Sequence, residues 1–227
     1  RKFSKSEKVG IFCDQAVEEF PADYWRYWLM ANAPESSDSS FTFEGFANTI
    51  NKDLNDVLGN FINRVLKMTT SNFGQQVPEG GEEALYNRVD ELINDYTTYL
   101  KELEYRKAFT ALRELWVEGN NYIARNEPWK VVKTDKARAA TVLRTAINLI
   151  RIFAILSYPV MPTTAEKMMA LLNLPTDKWE WVKKPAAEEL TTLKAGHAFN
   201  APELLFTKIS PEKVEEMSIK YKEKKEA

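Results

Sequence analysis

The chain has 227 residues, 44% of them hydrophobic and 28% charged, which allows one or two domains with a buried core. Its formal net charge of −2 excludes a polycation that binds nucleic acid through bulk charge, so any contact with RNA must be local. The single Cys13 and the single His197 exclude an intrachain disulfide and a zinc site built from three or four Cys and His ligands.

Long amphipathic stretches dominate the sequence. Apolar residues recur with a period of about 3.6 and glycine is scarce, which predicts an all-α fold, an antiparallel helical bundle. We predict a first long helix over residues 46–68, ending before the Pro- and Gly-containing segment 74–81. A second helix is predicted over residues 85–103, with an apolar stripe that reaches Leu103, and the short connection places it antiparallel to the first. A third helix is predicted over residues 108–123.

A break follows the third helix, because proline is tolerated only in the first turn of a helix and Pro128 must begin a new one. Trp129 therefore lies at the joint between two helices. Thr134 and Asp135 can cap the next helix. Its apolar continuation over residues 147–161 is too short and too interrupted for a membrane span, so we predict a buried core helix.

The remaining elements lie near the two ends. Thr163 and Glu166 have the spacing of a capping box and predict one more helix. Residues 21–33 predict an aromatic-rich helix, and the polar loop 34–40 marks a boundary before the bundle. Residues 212–227 are mostly Lys and Glu, so we expect a frayed or solvated terminal helix.

Two lysines near the N-terminus, Lys2 and Lys5, lie close to the hydroxyls of Ser4 and Ser6. Such a segment suits a flexible clamp on a polyphosphate, and equally a solvated tail. The sequence contains neither a Gly-rich phosphate loop nor a Ser, His and Asp set for nucleophilic catalysis. Because the chain begins with Arg1 rather than Met and has no signal-peptide pattern, we interpret it as a piece cut from a longer protein.

Polar and aromatic candidates for a binding site lie in the predicted bundle. Asn60 and Arg64 would share one helix face at the margin of the apolar stripe. They could recognise a base, or Arg64 could snorkel or pair with a carboxylate from a neighbouring helix. Trp129 could stack on a base for ~1–3 kcal/mol, or it could be an ordinary core residue. Asn120 and Asn121 could add polar contacts or cap the third helix.

Several motifs together resemble one enzyme family. Five residues resemble the KMSKS loop of class I aminoacyl-tRNA synthetases, with phenylalanine in place of methionine: Lys2, Phe3, Ser4, Lys5 and Ser6. Further segments are similar to methionyl-tRNA synthetases in particular: residues 22–27, 31–35, 51–64, 126–130, 161–162 and 205–209. The resemblance extends over almost the whole chain and is specific in combination.

The resemblance implies that residues 2–6 form an ATP-binding loop. Lys5 would contact the ATP phosphates and stabilise developing charge during methionyl-adenylate formation, with Lys2 in support. ATP, with Mg²⁺, would be used by the complete enzyme, a methionine-tRNA ligase, and this chain alone would bind none. The family's HIGH-type motif, its Rossmann domain and its zinc insertion would lie upstream. We therefore expect the chain to be catalytically incomplete without that missing half, and we expect no metal site in it.

The resemblance also implies an RNA partner, tRNA(Met). Asn60 and Arg64 would hydrogen-bond the first anticodon base, the cytosine of CAU, and Trp129 would stack on it beside Pro128. The implied domains are a loop and stem-contact segment at the end of the catalytic domain, a helical anticodon-binding domain and a charged tail: residues 1–45, 46–211 and 212–227. We expect a cytoplasmic protein with no membrane and no DNA partner.

Two other interpretations fit parts of the sequence. A helical scaffold or protein-interaction module could keep the bundle without reading RNA. It would neutralise Arg64 with a buried carboxylate and pack Trp129 in the core. A class I synthetase of the leucine or valine type would share the bundle, but the segments 59–64 and 128–129 disfavour it.

Overall fold

A computed structural model describes residues 10–35, 39–81 and 85–221, and in these ranges the chain is helical and contains no β-sheet. The predicted all-α fold is confirmed. An isolated antiparallel bridge pairs Gln76 with Ala198. In chain order the helices are α1 (Cys13–Glu19), α2 (Ala22–Ala31), α3 (Phe43–Thr49), a π-helical segment (Ile50–Gly59), α4 (Asn60–Phe73), α5 (Tyr86–Lys101), α6 (Tyr105–Asn126), α7 (Pro128–Val131), α8 (Lys136–Ser157), α9 (Pro162–Leu171), α10 (Ala186–Glu189) and α11 (Pro211–Lys220).

The first predicted helix exists and is longer than expected, because α3, the π segment and α4 continue into one another through helical backbone angles. The π-helical turns in its middle were not predicted. On an α-helix, residues spaced four apart drift around the axis by about 40° per step. A π-helix has wider turns, so residues four apart drift in the opposite sense, and the succession of α, π and α turns keeps such residues on one side of the helix. Ile50, Leu54 and Leu58 therefore all face the core with 0% exposure.

The second predicted helix, α5, packs mainly along α6 rather than along the first predicted helix, and its antiparallel direction relative to that helix stays a prediction. Residues 102–104 form a tight turn between α5 and α6, which makes these two helices antiparallel neighbours. Leu103, predicted to belong to the apolar stripe, lies in this turn with φ of 60° and is 64% exposed. The other end of the stripe is packed as expected, and the buried Tyr96 hydroxyl donates to the carbonyl oxygen of Leu156 at 2.9 Å.

The predicted core helix is α8, against which α4, α6, α7 and α9 pack. Asp135 caps its N-terminus, as predicted, by accepting a hydrogen bond from the Arg138 backbone N–H at 2.9 Å. By length and hydropathy alone α8 could cross a membrane. However, 89% of its most apolar window is buried inside the protein, so α8 is the central helix of the core.

The N-terminus of α9 differs from the prediction. The helix begins at Pro162, and the capping box expected at Thr163 is absent from it. Instead the Asp23 carboxylate, on α2, accepts a hydrogen bond from the Thr164 backbone N–H at 2.6 Å. A carboxylate at a helix N-terminus satisfies a free donor and interacts favourably with the helix dipole. Asp23 is only 4% exposed, so this contact joins α2 to α9 inside the protein.

The predicted helix over residues 21–33 is α2, and its aromatic residues enter the same core as the bundle. The Trp25 ring stacks on Phe46 of α3 with centroids 4.2 Å apart. Residues 36–38 of the loop 34–40 lie outside the described ranges. The domain boundary in this loop and the division into three domains stay predictions.

The terminal helix α11 is partly packed rather than frayed or fully solvated. Met217 is fully buried and Tyr221 is 8% exposed. Glu19 of α1 binds Lys213 at 3.1 Å, the Tyr221 hydroxyl at 3.0 Å, and Lys220. The predicted terminal helix exists and most of its residues are exposed, but the packing of Met217 and Tyr221 was not expected; residues 222–227 lie outside the described ranges.

Candidate RNA-binding surface

Asn60 and Arg64 begin the exposed face of α4. Asn60 is the first residue of the helix, directly after the π segment, and Arg64 follows one turn later. Both residues are exposed. Among the described residues, no protein group hydrogen-bonds the Asn60 side chain. Its amide is therefore available to a ligand, with one acceptor and two donor hydrogens.

The Arg64 guanidinium is held by a second helix. Its Nη2 donates a hydrogen bond to Oδ1 of Asn120 at 2.9 Å. Asn120 lies in α6, and its Nδ2 donates to two backbone carbonyl oxygens, that of Trp116 at 3.0 Å and that of Val57 at 3.1 Å. Asn120 thus connects α6, the π segment and α4 through one amide.

The charge of Arg64 is not neutralised by a carboxylate within residues 10–35, 39–81 and 85–221. Burial lowers the pKa of the guanidinium from its ordinary value, with no electrostatic contribution from an acidic neighbour. An arginine nevertheless stays protonated at neutral pH. The surface therefore presents a partly desolvated cation whose other N–H groups can reach an external acceptor.

Trp129 follows the break predicted at Pro128. Helix α6 ends at Asn126, and Glu127 adopts the left-handed conformation, with φ of 40° and ψ of 51°. Pro128 is buried at the start of α7, while Trp129 is 37% exposed. Trp129 is the most exposed of the six tryptophans, and Trp116 is fully buried. Trp129 thus has a partly free indole surface at the end of the helix that carries Asn120.

The structure brings some of the predicted residues together directly. Asn60 and Arg64 lie on successive turns of one face of α4, and Arg64 contacts Asn120. From Asn120 to the end of α6 at Asn126 the helix rises by about 9 Å, and Trp129 follows beyond that end. The structure thus joins Arg64 to Asn120 directly, and no hydrogen bond or ring contact among the described residues links Trp129 to Asn60 or Arg64.

A further wall of this surface was not predicted. A shallow depression beside Asn60 is lined by Gly59, Asn63 and the segment 203–206. Leu204 of this segment is 77% exposed. A Cβ atom at Gly59 would lie 3.0 Å from the Phe206 ring, so glycine permits the segment to approach α4. No short-range pattern in the sequence signals this contact, because residues almost 150 positions apart form it.

The predicted ATP loop cannot be placed on this surface. Lys2, Phe3, Ser4, Lys5 and Ser6 lie outside the described residues.

Two protein-family models match successive parts of the chain. A model described as tRNA synthetases class I (M) matches residues 1–66, and one described as the anticodon binding domain of methionyl tRNA ligase matches residues 74–226. Asn60 and Arg64 fall in the first match and Trp129 falls in the second.

Curated relatives agree with these matches. The chain is 45% identical over 219 residues to methionine-tRNA ligase of Streptomyces avermitilis, covering 94% of this chain and 38% of the relative. It is 46% identical over 220 residues to methionine-tRNA ligase of Ruegeria sp., covering 95% of this chain and 38% of the relative. The chain thus spans about two fifths of the length of these relatives.

Solved structures share the fold. The apo form of Mycobacterium tuberculosis methionyl-tRNA synthetase superposes with a TM-score of 0.75 at 28% identity, covering 86% of this chain and 40% of that one. The same enzyme in complex with methionyl-adenylate gives a TM-score of 0.72 at 27% identity, covering 88% and 41%.

Proposed function

Because the chain belongs to the methionyl-tRNA synthetase family, we propose that it recognises the anticodon of tRNA(Met) as part of a methionine-tRNA ligase. The observation that carries this proposal is the state of Arg64. Its guanidinium is exposed, positioned by the neutral amide of Asn120, and free of any carboxylate partner among the described residues. A charged group in this state can form hydrogen bonds with RNA without first breaking an ion pair.

The chemistry of cytosine fits the two polar side chains of α4. Its Watson–Crick edge offers two acceptors, O2 and N3, and one amino donor. The Arg64 guanidinium would donate to the acceptors, and the Asn60 side-chain oxygen would accept from the amino group. Uracil at the same position presents an N3–H donor and an O4 acceptor, which reverses the pattern at two of the three groups. Discrimination between the two pyrimidines would follow from this reversal.

Trp129 would supply the apolar part of the site. Bases in single-stranded loops are commonly splayed out and stacked on aromatic rings. The indole is 37% exposed, and Pro128, the preceding residue, is buried at the start of α7. The restricted backbone at Pro128 would help to fix the position of the indole on which the first anticodon base stacks.

The whole enzyme would carry out chemistry in which this chain takes part. We include in the proposal that Lys5, with Lys2, contacts ATP phosphates in a loop formed with Phe3, Ser4 and Ser6. ATP, with Mg²⁺, would be used together with the catalytic half of a cytoplasmic synthetase. These roles follow from family membership, since residues 1–9 lie outside the described ranges.

Binding of RNA stem-loops to this chain tests the proposal. A stem-loop with the anticodon CAU would be compared with one that differs only in its first base, UAU, by filter binding at fixed salt. A bidentate contact to a base discriminates by ~1–3 kcal/mol, so we expect the CAU stem-loop to bind roughly tenfold more tightly. Equal affinities would refute anticodon reading by this surface.

The scaffold interpretation requires a neutralised Arg64 and a core Trp129. The described residues place no carboxylate on Arg64, and Trp129 is partly exposed, so neither requirement is met.

A further inference from the structure

The side-chain amide of Asn120 forms three hydrogen bonds with other groups of the protein. Both Nδ2 contacts end on carbonyl oxygens, those of Trp116 and Val57, while Oδ1 faces Arg64. A flipped amide would direct its oxygen at the two carbonyl oxygens and its NH₂ group at a cation, so the network admits one orientation. The acceptor that Arg64 meets is therefore fixed in direction by the backbone of two helices.

The chemical type of residue 120 matters as much as its geometry. A carboxylate here would form an ion pair with Arg64 and cancel the charge that faces solvent. An amide oxygen accepts one N–H and leaves the net charge of the guanidinium in place. Asparagine at position 120 therefore orients the Arg64 guanidinium without neutralising its charge.

We propose that Asn120 is a positioning residue, which orders the Arg64 guanidinium for the first anticodon base and leaves its positive charge available to the RNA. This inference rests on the proposed function, because it assumes that Arg64 touches the base. An arginine side chain carries about 2 kcal/mol of rotamer entropy, part of which must be lost when it forms directed hydrogen bonds. If one Nη is held before RNA binds, less rotamer entropy is lost on binding. The fixed guanidinium can also donate to a base only within a narrower range of angles.

The hydrogen bond from Asn120 to the Val57 carbonyl oxygen also connects Asn120 to the backbone near Asn60. The Val57 carbonyl lies in the π segment one turn before Asn60, and it also accepts the Asn60 backbone N–H. Asn120 is thus tied to the same backbone that presents Asn60. Loss of its amide would loosen Arg64 directly and would remove one link between α6 and the start of α4.

The test compares three variants of the chain with the wild type. Asn120→Ala removes the positioning contact, Asn120→Asp keeps the shape and adds a carboxylate, and Asn94→Ala is the control, an exposed asparagine in the middle of α5. Affinities for the CAU and UAU stem-loops give the discrimination ratio. We expect Asn120→Ala to reduce this ratio roughly three- to tenfold and Asn94→Ala to leave it unchanged. Asn120→Asp should weaken binding of both RNAs, because it neutralises Arg64.

A double-mutant cycle shows whether Asn120 acts through Arg64. In an Arg64→Ala background, Asn120→Ala should have no further effect on discrimination, whereas a merely structural contribution would persist there. NMR relaxation of the Arg64 Nε–H group, measured without RNA, supplies an independent readout. Its order parameter should fall in Asn120→Ala and stay constant in Asn94→Ala.

The outcomes separate the two proposals. If the wild type binds both stem-loops equally, the proposed function fails and the positioning role in base reading fails with it. If the wild type discriminates but Asn120→Ala keeps the full ratio, or lowers it equally in the Arg64→Ala background, the positioning inference alone is overturned. An unchanged Arg64 order parameter in Asn120→Ala would also overturn it.

Discussion

The backbone of Gly119 in α6 lies so close to Phe61 in α4 that a Cβ atom there would be 3.2 Å from the Phe61 ring and 3.0 Å from that of Phe153. Both rings are fully buried. Asn120 is the next residue in the chain, so the close approach that glycine permits also brings the amide within 2.9 Å of Arg64. Packing and the candidate site thus depend on the same helix contact.

We therefore predict that Gly119→Ala destabilises the protein. Overpacking a filled core typically costs ~1–3 kcal/mol. The gain in helix propensity from glycine to alanine returns about 1 kcal/mol. We expect a net loss on the order of 1 kcal/mol in the free energy of unfolding, measured by urea denaturation, together with weaker discrimination between the two stem-loops. A variant more stable than the wild type would mean that the Phe61 and Phe153 rings can move to accommodate the added methyl group without cost.

Arg64→Lys should reduce discrimination while keeping the charge. Lysine lacks the planar fork that matches two acceptors on a base, so the contact to cytosine O2 and N3 would be lost. We expect the preference for the CAU stem-loop to fall by ~1–3 kcal/mol, with the weaker binding of the UAU stem-loop almost unchanged. The control is Lys67→Ala, which removes an exposed cation one turn further along α4. If that variant alters discrimination as much as Arg64→Lys, general charge and not base reading explains the binding.

Trp129→Ala should weaken binding of the CAU stem-loop by ~1–3 kcal/mol, because a stacking surface is lost. Trp129→Phe keeps an aromatic face and should retain part of this affinity. Since the indole is already 37% exposed, thermal unfolding should change much less than for a core tryptophan. Unchanged RNA affinity in Trp129→Ala, measured at the same salt concentration, would contradict the stacking role.

The sequence predicted the helices well where a local pattern determines them. The stripe through α6 and the Asp135 cap of α8 depend on residues within a few turns of one another, and both are found in the structure. The joint at Pro128 is equally local, because proline lacks the backbone N–H that a helix interior needs.

Features that depend on distant residues were not predictable in this way. Asp23 caps α9 across 141 positions, and Asn120 meets Arg64 across 56. The sequence named both Arg64 and Asn120 as candidates. It left base recognition, snorkelling or a carboxylate partner open for Arg64, and polar contacts or capping of the third helix open for Asn120. The π segment was missed for another reason. Apolar residues four apart are compatible with an α-helix over one or two turns, so this spacing distinguishes a π-helix from an α-helix only over a longer stretch.

The stability of the protein should depend on pH through the carboxyl group of Glu19. The Glu19 side chain is 9% exposed, and its carboxylate receives hydrogen bonds from Lys220 and Lys213 of α11 and from Tyr221, the residue that follows α11. The bond from Lys220, with lesser ones from Lys213 and Tyr221, lowers the pKa of Glu19 from 4.5 to about 2. A depressed carboxyl pKa contributes stability above the unfolded value, and that contribution is lost as pH falls through the folded one.

Glu19→Gln should therefore be less stable than the wild type at neutral pH, and the two should converge between about pH 4.5 and pH 2. Both lysines are partly exposed to solvent, so the difference at pH 7 should be about 1 kcal/mol rather than the value that the full pKa change implies. Urea denaturation at several pH values measures it. Glu216→Gln provides the control, since that carboxylate binds Lys213 from an exposed position on α11 and does not reach α1. A constant difference between Glu19→Gln and wild type down to pH 2 would show that α11 is held to α1 by packing of Met217 and Tyr221 and not by this ion-pair network.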